Sequence, residues 1–411
     1  MNIYSLEIEN NPQTKIKSHS ILSTFHRIKK LILPYTQKLT LKEESSSSKE
    51  RILHGDAKQS SLATFFKSID DFICTSIDLP LHPSIDPELV LSENFAPVDE
   101  LPPTACEVVE GSLPSSLDKA YIRNGPNPHF IPRGPYYLFD GDGMLHMIKI
   151  SKGKATFCSR YVKTYKYGFG LANTSLALIG GRLFALGESD LPYAIKVISN
   201  GDIITLGRHH FFNDEPFLSM TAHPKIDPNA GEAFALRYQV IHPFLMLFTI
   251  DSNGKKQPDV PIFSMNSTSL IHDFALTKNY VLFPDTQILI DLKEITRGRS
   301  PVRVDLAKVS RLGIIPRYAD DESELRCIET PGFNMMHCIN AWEEDDGDKI
   351  IMVATNLSSV EQALDRLDLA GLRLEKITIC VKGMTSERHH FSTEVLDLGG
   401  INPAYAGKKN R

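Results

Sequence analysis

Three times in this chain a short apolar segment carrying one histidine is followed by a turn and a second apolar segment. The first pair is Ser219-Met-Thr-Ala-His223 and Phe234–Tyr238, and the second is Leu270-Ile-His272-Asp-Phe274 and Tyr280–Phe283. The third is Met335-Met-His337-Cys-Ile339 and Lys349–Ala354. The histidines stand 49 and 65 residues apart. Four-stranded propeller blades repeat every ~40–50 residues, and the longer step leaves room for an insertion. One histidine on the innermost strand of each blade would bring all three to a common axis, with no local sequence motif required.

The rest of the chain from about residue 105 agrees with an all-β reading. Short apolar runs recur between Gly, Asp and Asn turns: Ala155–Val162, Ser175–Leu178, Arg182–Leu186, Leu245–Ile250, Ile288–Leu292 and Lys376–Val381. Many short strands joined by tight turns imply a sandwich, barrel or propeller. One helix is expected inside this region. Ser359-Val-Glu-Gln362 has the capping-box pattern and opens an amphipathic stretch with Val360, Leu364 and Leu367. Asp140-Gly-Asp-Gly143 resembles part of a calcium loop but lacks the later ligands, and reads as a tight turn.

A lone histidine in an apolar strand is most often a satisfied core residue. Three in equivalent positions of a repeat point instead to a metal site. Neutral imidazole suits Zn, Cu, Fe and Ni, so the spacing does not choose among them. Three histidines and a water would resemble a catalytic zinc site, and a zinc hydrolase is one reading. A fourth neutral histidine without a carboxylate ligand would suit Fe(II) with open positions. The eleven other histidines show no such arrangement, and His209-His210 and His389-His390 read as surface residues.

Composition narrows the function classes. The net charge of −5 gives no electrostatic footprint for a nucleic-acid partner. No apolar run approaches the ~20 residues that span a bilayer. The six cysteines lack metal-type spacing, which predicts packed thiols in a reducing compartment. Residues 11–42 carry seven Lys/Arg and no Asp or Glu among interspersed Ser and Thr. An acid-poor, basic, hydroxyl-rich start suits an organelle transit peptide or a flexible basic tail, here residues 1–50. Residues 51–104 follow as an amphipathic helix and a Pro-rich connector. In that helix Leu62, Phe65, Phe66, Ile69, Phe72 and Ile73 share one face, fit either to pack on a core or to enter a membrane interface.

At Tyr121-Ile-Arg-Asn-Gly-Pro-Asn-Pro128, Tyr137-Leu-Phe-Asp-Gly-Asp-Gly-Met-Leu-His146 and the three histidine segments, the sequence resembles the carotenoid oxygenase family. The resemblance runs in order through residues 60–411. The closing Leu396-Asp-Leu-Gly-Gly-Ile-Asn-Pro-Ala-Tyr405 is most similar to the plastid type 4 branch of the plant enzymes.

This resemblance implies a seven-bladed β-propeller under a helical, membrane-contacting dome, with residues 105–411 forming an incomplete propeller that lacks its C-terminal blades. It implies one Fe(2+) held by four histidines, three of them His223, His272 and His337, with O2 as co-substrate and a carotenoid or apocarotenoid as substrate. Glu188 and Asp397 match carboxylates that orient the ligand rings, Asp397 being one methylene shorter than the family's glutamate. Cys327 stands where the family has tryptophan. A fourth histidine and a third glutamate are expected from sequence beyond Arg411. The expected setting is the plastid, peripheral to a membrane or plastoglobule, with Phe65, Phe66 and Phe72 as contacts. The other reading is a catalytically inactive, truncated carotenoid-binding or interaction protein.

Overall fold

The computed structural model of the chain describes residues 91–92, 96–129, 141–164, 171–188, 190–212, 219–239, 241–291, 302–362, 371–391, 397 and 399–409. The basic tail 1–50, the amphipathic helix with Phe65, Phe66 and Phe72, and Leu364 and Leu367 of the capping-box helix lie outside the described residues. Val360–Gln362, at the start of that helix, forms a 3₁₀ turn.

Among the described residues, short apolar strands form five four-stranded antiparallel sheets and one two-stranded sheet. The first combines β1 (Leu101–Cys106), β2 (Lys119–Asn127), β3 (Asp142–Ser151) and β4 (Lys154–Tyr161), in the order β1-β4-β3-β2. The second is the meander β5 (Ser175–Ile179), β6 (Arg182–Leu186), β7 (Tyr193–Val197) and β8 (Ile203–Arg208). The third contains β9 (Lys225–Ile226), β10 (Ala233–Tyr238), β11 (Leu245–Ile250) and β12 (Val260–Ile262). In the fourth, β13 (Ala275–Leu276), β14 (Tyr280–Asp285), β17 (Arg311–Pro316) and β18 (Arg326–Glu329) pair in that order. The small sheet β15 (Ile288–Ile290) and β16 (Val302–Val304) is inserted between β14 and β17. The fifth is β19 (Met335–Glu344), β20 (Lys349–Leu357), β21 (Leu372–Cys380) and β22 (Thr385–His390).

The period of two decides which neighbour each residue meets. In β6, Leu183 and Ala185 pack with Ile122, Leu145 and Met147 of the first sheet. Phe184 and Leu186, on the opposite face, pack with Ala235, Phe248 and Ile250 of the third. Phe234, Leu236 and Leu247 then meet Val281, Phe283 and Ile315 of the fourth sheet. Leu282, Leu312 and Ile314 meet Ile350, Met352 and Ile377 of the fifth. The sheets are therefore stacked in series, and the second, third and fourth bury both faces. The β5–β6 turn needs its two glycines: both have positive φ, and a Cβ on Gly180 would lie 2.6 Å from Gly254 Cα.

Several expectations change. Leu101–Cys106 joins the first sheet as β1, so the β structure begins inside the Pro-rich connector. Asp142 and Gly143 open β3 instead of forming a tight turn, because both continue the ladder with β2. All five described cysteines are free, but Cys106 is exposed at the end of an edge strand and is not a packed thiol. His389 and His390 are exposed as expected, yet they end β22.

The histidine segments are also less regular than strands. His337 lies in β19, but His223 stands two residues before β9 and His272 three before β13. The β19–β20 register shifts on both sides of Cys338, at a bulge next to His337. Side chains leaving a ladder to meet one point need this freedom from regular pairing.

Candidate metal centre

His223, His272 and His337 approach one another from the entry edges of the third, fourth and fifth sheets. Their ligand-capable nitrogens all lie within 4.8 Å of one another. His272 Nε2 is 3.1 Å from His223 Nε2 and 3.1 Å from His337 Nε2. The rings stand edge to face, with interplanar angles of 69°, 78° and 85°. This is the one group of His, Cys, Asp or Glu with metal-ligand spacing among the described residues.

Backbone and side-chain contacts fix each ring. Thr221 Oγ1 accepts from the His223 backbone N–H at 3.2 Å, and Thr355 Oγ1 accepts from that of His337 at 3.0 Å. Glu188, two residues beyond β6, places Oε1 against His272 Nδ1, and that oxygen has no other hydrogen-bond partner among the described residues. Glu188 Oε2 accepts from the Tyr238 hydroxyl at 2.7 Å. His337 Nδ1 lies 2.8 Å from Asp397 Oδ1, which also accepts from Thr355 Oγ1 at 3.0 Å. The shorter side chain at 397 therefore reaches its histidine.

The electrostatics follow from these contacts. Burial pushes the pKa of His223 down to about 3, leaving the ring neutral. At His272 burial opposes the charged form, but the charge and hydrogen bond of Glu188 carry the pKa above the ordinary imidazole value. Burial likewise opposes ionisation of Glu188, yet His272 and Tyr238 hold it below the usual carboxylate value. Burial first, then the Glu188 charge, push the Tyr238 phenol well above its usual pKa.

A carboxylate can only accept, so Nδ1 of His272 and His337 carries the proton and each Nε2 presents a lone pair. Two lone pairs 3.1 Å apart repel unless a proton or a metal ion lies between them. The donor set therefore fits a divalent cation, with Glu188 and Asp397 in the orienting place that carboxylates take behind metal-bound imidazoles. A cavity of about 460 Å³ borders His223 and His337, and its lining mixes Ile226, Leu276, Ile339 and Ala341 with Lys225, Asp227, Asp273 and Arg317.

The sequence brought forward the three histidines, Glu188 and Asp397, and the structure brings all five together. It did not bring forward Tyr238 or Thr355. Tyr238 ends the strand paired with the first histidine segment, and Thr355 follows the one paired with the third, so the repeat itself held their positions.

Comparison with known proteins extends the description. Residues 95–411 match the family model described as RPE65: Retinal pigment epithelial membrane protein. The chain is 50% identical to the probable carotenoid cleavage dioxygenase 4, chloroplastic, of Arabidopsis thaliana, over 85% of this chain and 67% of that one. It is 45% identical to the 9-cis-epoxycarotenoid dioxygenase NCED1, chloroplastic, of rice (Oryza sativa subsp. japonica), over 85% of this chain and 62% of that one. The matches thus span about two thirds of these relatives. Among solved structures, Pseudomonas brassicacearum lignostilbene dioxygenase superposes with a TM-score of 0.69 at 23% identity, covering 81% of this chain and 76% of that one. That likeness establishes the all-β, multi-sheet fold.

Proposed function

The chain belongs to the carotenoid oxygenase (RPE65) family, and we propose on that premise that it cleaves a double bond of a carotenoid or apocarotenoid with O2, giving two carbonyl products. The observation that carries this reading is the convergence of His223, His272 and His337 Nε2 atoms, two of them backed by carboxylates, beside a cavity. The cleavage balances: the carbon–carbon double bond breaks and each carbon takes one oxygen atom.

The three histidines would hold one Fe(2+) per chain, which supplies the one-electron chemistry that O2 needs to react with an alkene. Glu188 and Asp397 keep the Nδ1 protons in place and the Nε2 lone pairs aimed inward. Leu276, Ile339 and Ala341 supply the apolar part of a cavity lining that also carries Lys225, Asp227, Asp273 and Arg317. The reacting bond carries no exchangeable proton, so none of these residues is assigned as a general acid or base.

The remaining assignments rest on the sequence and the relatives. A seven-bladed propeller type for residues 105–411 is supported by sheets stacked in series. The acid-poor segment 11–42 and the chloroplastic relatives support plastid import directed by residues 1–50. Within residues 51–104, the stripe of Phe65, Phe66 and Phe72 suits contact with a membrane or plastoglobule surface, where so apolar a substrate is held.

The test is anaerobic Fe(II) reconstitution of the full-length protein, then O2 and a panel of carotenoids, with product aldehydes and ketones identified by mass spectrometry. Retention of zinc, or carotenoid binding without cleavage products, would replace this reading with a hydrolase or a binding protein.

A further inference from the structure

All three histidine segments are tied together a second time by one ion pair whose carboxylate is buried and whose lysine is half-buried. Lys225 lies two residues after His223, Asp273 directly follows His272, and Cys338 directly follows His337. Asp273 is 2% exposed. Lys225 Nζ reaches Asp273 Oδ1 at 2.7 Å and Oδ2 at 3.0 Å. Asp273 Oδ2 also accepts from the Cys338 backbone N–H at 2.8 Å, and Lys225 Nζ donates to the Cys338 carbonyl at 3.3 Å. Asp273 Oδ1 further accepts from the Phe274 N–H at 2.7 Å, which fixes the carboxylate on its own segment.

Cys338 sits where the β19–β20 register shifts on both sides. A bulge frees backbone groups from the ladder, and buried backbone groups need partners. Here the partners of the Cys338 backbone come from the two other histidine segments. The side chain of His337 leaves the chain one residue earlier, so the clamp controls where that ring starts. Three sheets contribute one histidine each, and this cluster joins all three segments through side chains within two residues of those histidines.

We propose that the Lys225–Asp273 pair is a positioning clamp that sets the mutual spacing of His223, His272 and His337, and with it the metal affinity of the site. This rests on the metal-site reading above. A buried pair that served folding alone would change stability without changing the ligand set. A clamp also has a ligand-side signature, because displaced histidines bind an ion more weakly and in a different field.

The experiment uses Co(2+) as the probe, with affinity measured by chelator competition and the ligand field read from the visible d–d absorption. The proteins are wild type, Asp273→Asn, Lys225→Met and the double variant. Leu145→Ala, in the core between the first two sheets, serves as a control that loses stability elsewhere. The clamp predicts about tenfold or greater loss of Co(2+) affinity in either single variant, the scale seen for groups that orient metal ligands. It also predicts an altered d–d band and no further loss in the double variant, while Leu145→Ala lowers thermal stability and leaves affinity and spectrum unchanged. If an unpaired buried charge keeps the single variants from folding, the double variant, which buries neither charge alone, decides by the same comparison. A change below about threefold with an unaltered spectrum, against the tenfold or more expected of orienting groups, would overturn the clamp. Failure of the wild-type protein to bind Co(2+) would instead remove the metal-site reading beneath it.

Discussion

Asp397 Oδ1 stands 2.8 Å from His337 Nδ1 and 3.0 Å from Thr355 Oγ1, and the same threonine oxygen accepts the backbone N–H of His337. One hydroxyl thus fixes both the histidine's main chain and the carboxylate that holds its ring. Asp397→Asn should weaken Fe(II) or Co(2+) binding about 10- to 100-fold, because the amide no longer favours an Nδ1–H, Nε2-lone-pair tautomer. Asp397→Glu, with the longer side chain, should recover at least part of that loss. Metal titration checks both, and an unchanged affinity in Asp397→Asn would separate this carboxylate from the site.

Glu188 is held from two sides, by His272 Nδ1 and by the Tyr238 hydroxyl at 2.7 Å. Tyr238→Phe removes one donor to a half-buried carboxylate, costing about 1.5–3 kcal/mol for a hydrogen bond to a charged group. Metal affinity should fall in both variants and further in Glu188→Gln, where the ring loses its charged partner. Chelator competition on the two variants gives the order. The reverse order would mean that Tyr238 acts on the site by a route other than Glu188.

The histidine set was legible because it recurs: three similar segments at blade-like spacing constrain one another as no single histidine could. Strand positions were legible for the same reason that the sheets stack, since alternation writes both faces of β6 into adjacent residues. The irregular backbone around His223 and His272 was not legible. Leaving the ladder depends on where a neighbouring sheet lies, and local propensity carries no such information. Lys225 and Asp273 were hidden differently. Each reads as an ordinary charge beside a histidine, and only the meeting of three sheets shows that they pair with each other and with the Cys338 backbone.

Gly313 of β17 lies between Phe283 of β14 and Cys327 of β18 in register. A Cβ at Gly313 would come within 2.3 Å of Phe283 Cζ, and the ring is buried. Gly313→Ala should therefore destabilise the protein by about 1–3 kcal/mol, the usual cost of overpacking a filled core. The companion change Phe283→Leu should relieve part of this cost. Urea unfolding of the two single variants and the double variant measures the coupling.

The proposed lipid contact is the stripe of Phe65, Phe66 and Phe72. Replacing Phe65 and Phe66 by Asp removes two aromatic anchors and adds two charges that an anionic surface repels. Flotation with liposomes of plastid lipid composition should lose the double variant from the top fraction while its iron content stays constant. Equal flotation of wild type and variant would assign that face to packing on the protein.

The last prediction concerns pH. Asp285 is 4% exposed and takes hydrogen bonds from Ser269 Oγ at 2.5 Å, from Lys308 Nζ, and from Arg311 Nη2 at 2.6 Å and Nε at 3.1 Å. Burial works to raise its pKa, but Lys308, Ser269 and Arg311 together hold it below the usual carboxylate value. A carboxylate depressed in the folded state binds its proton more readily in the unfolded chain. Its contribution to stability is full above the unfolded value of ~3.9 and fades as pH falls through the lower folded value. Asp285→Asn leaves Lys308 and Arg311 without their shared counter-charge. Their side chains keep some exposure, 16% and 29%, which places the cost near the lower end of the range for a broken buried pair, about 3 kcal/mol at pH 7. The gap between wild type and Asp285→Asn, measured by urea unfolding, should stay constant from pH 7 to pH 5 and narrow below pH ~4. A gap that persists at low pH would show that the carboxylate holds β14 to β17 through its shape and neutral hydrogen bonds, and not through its charge.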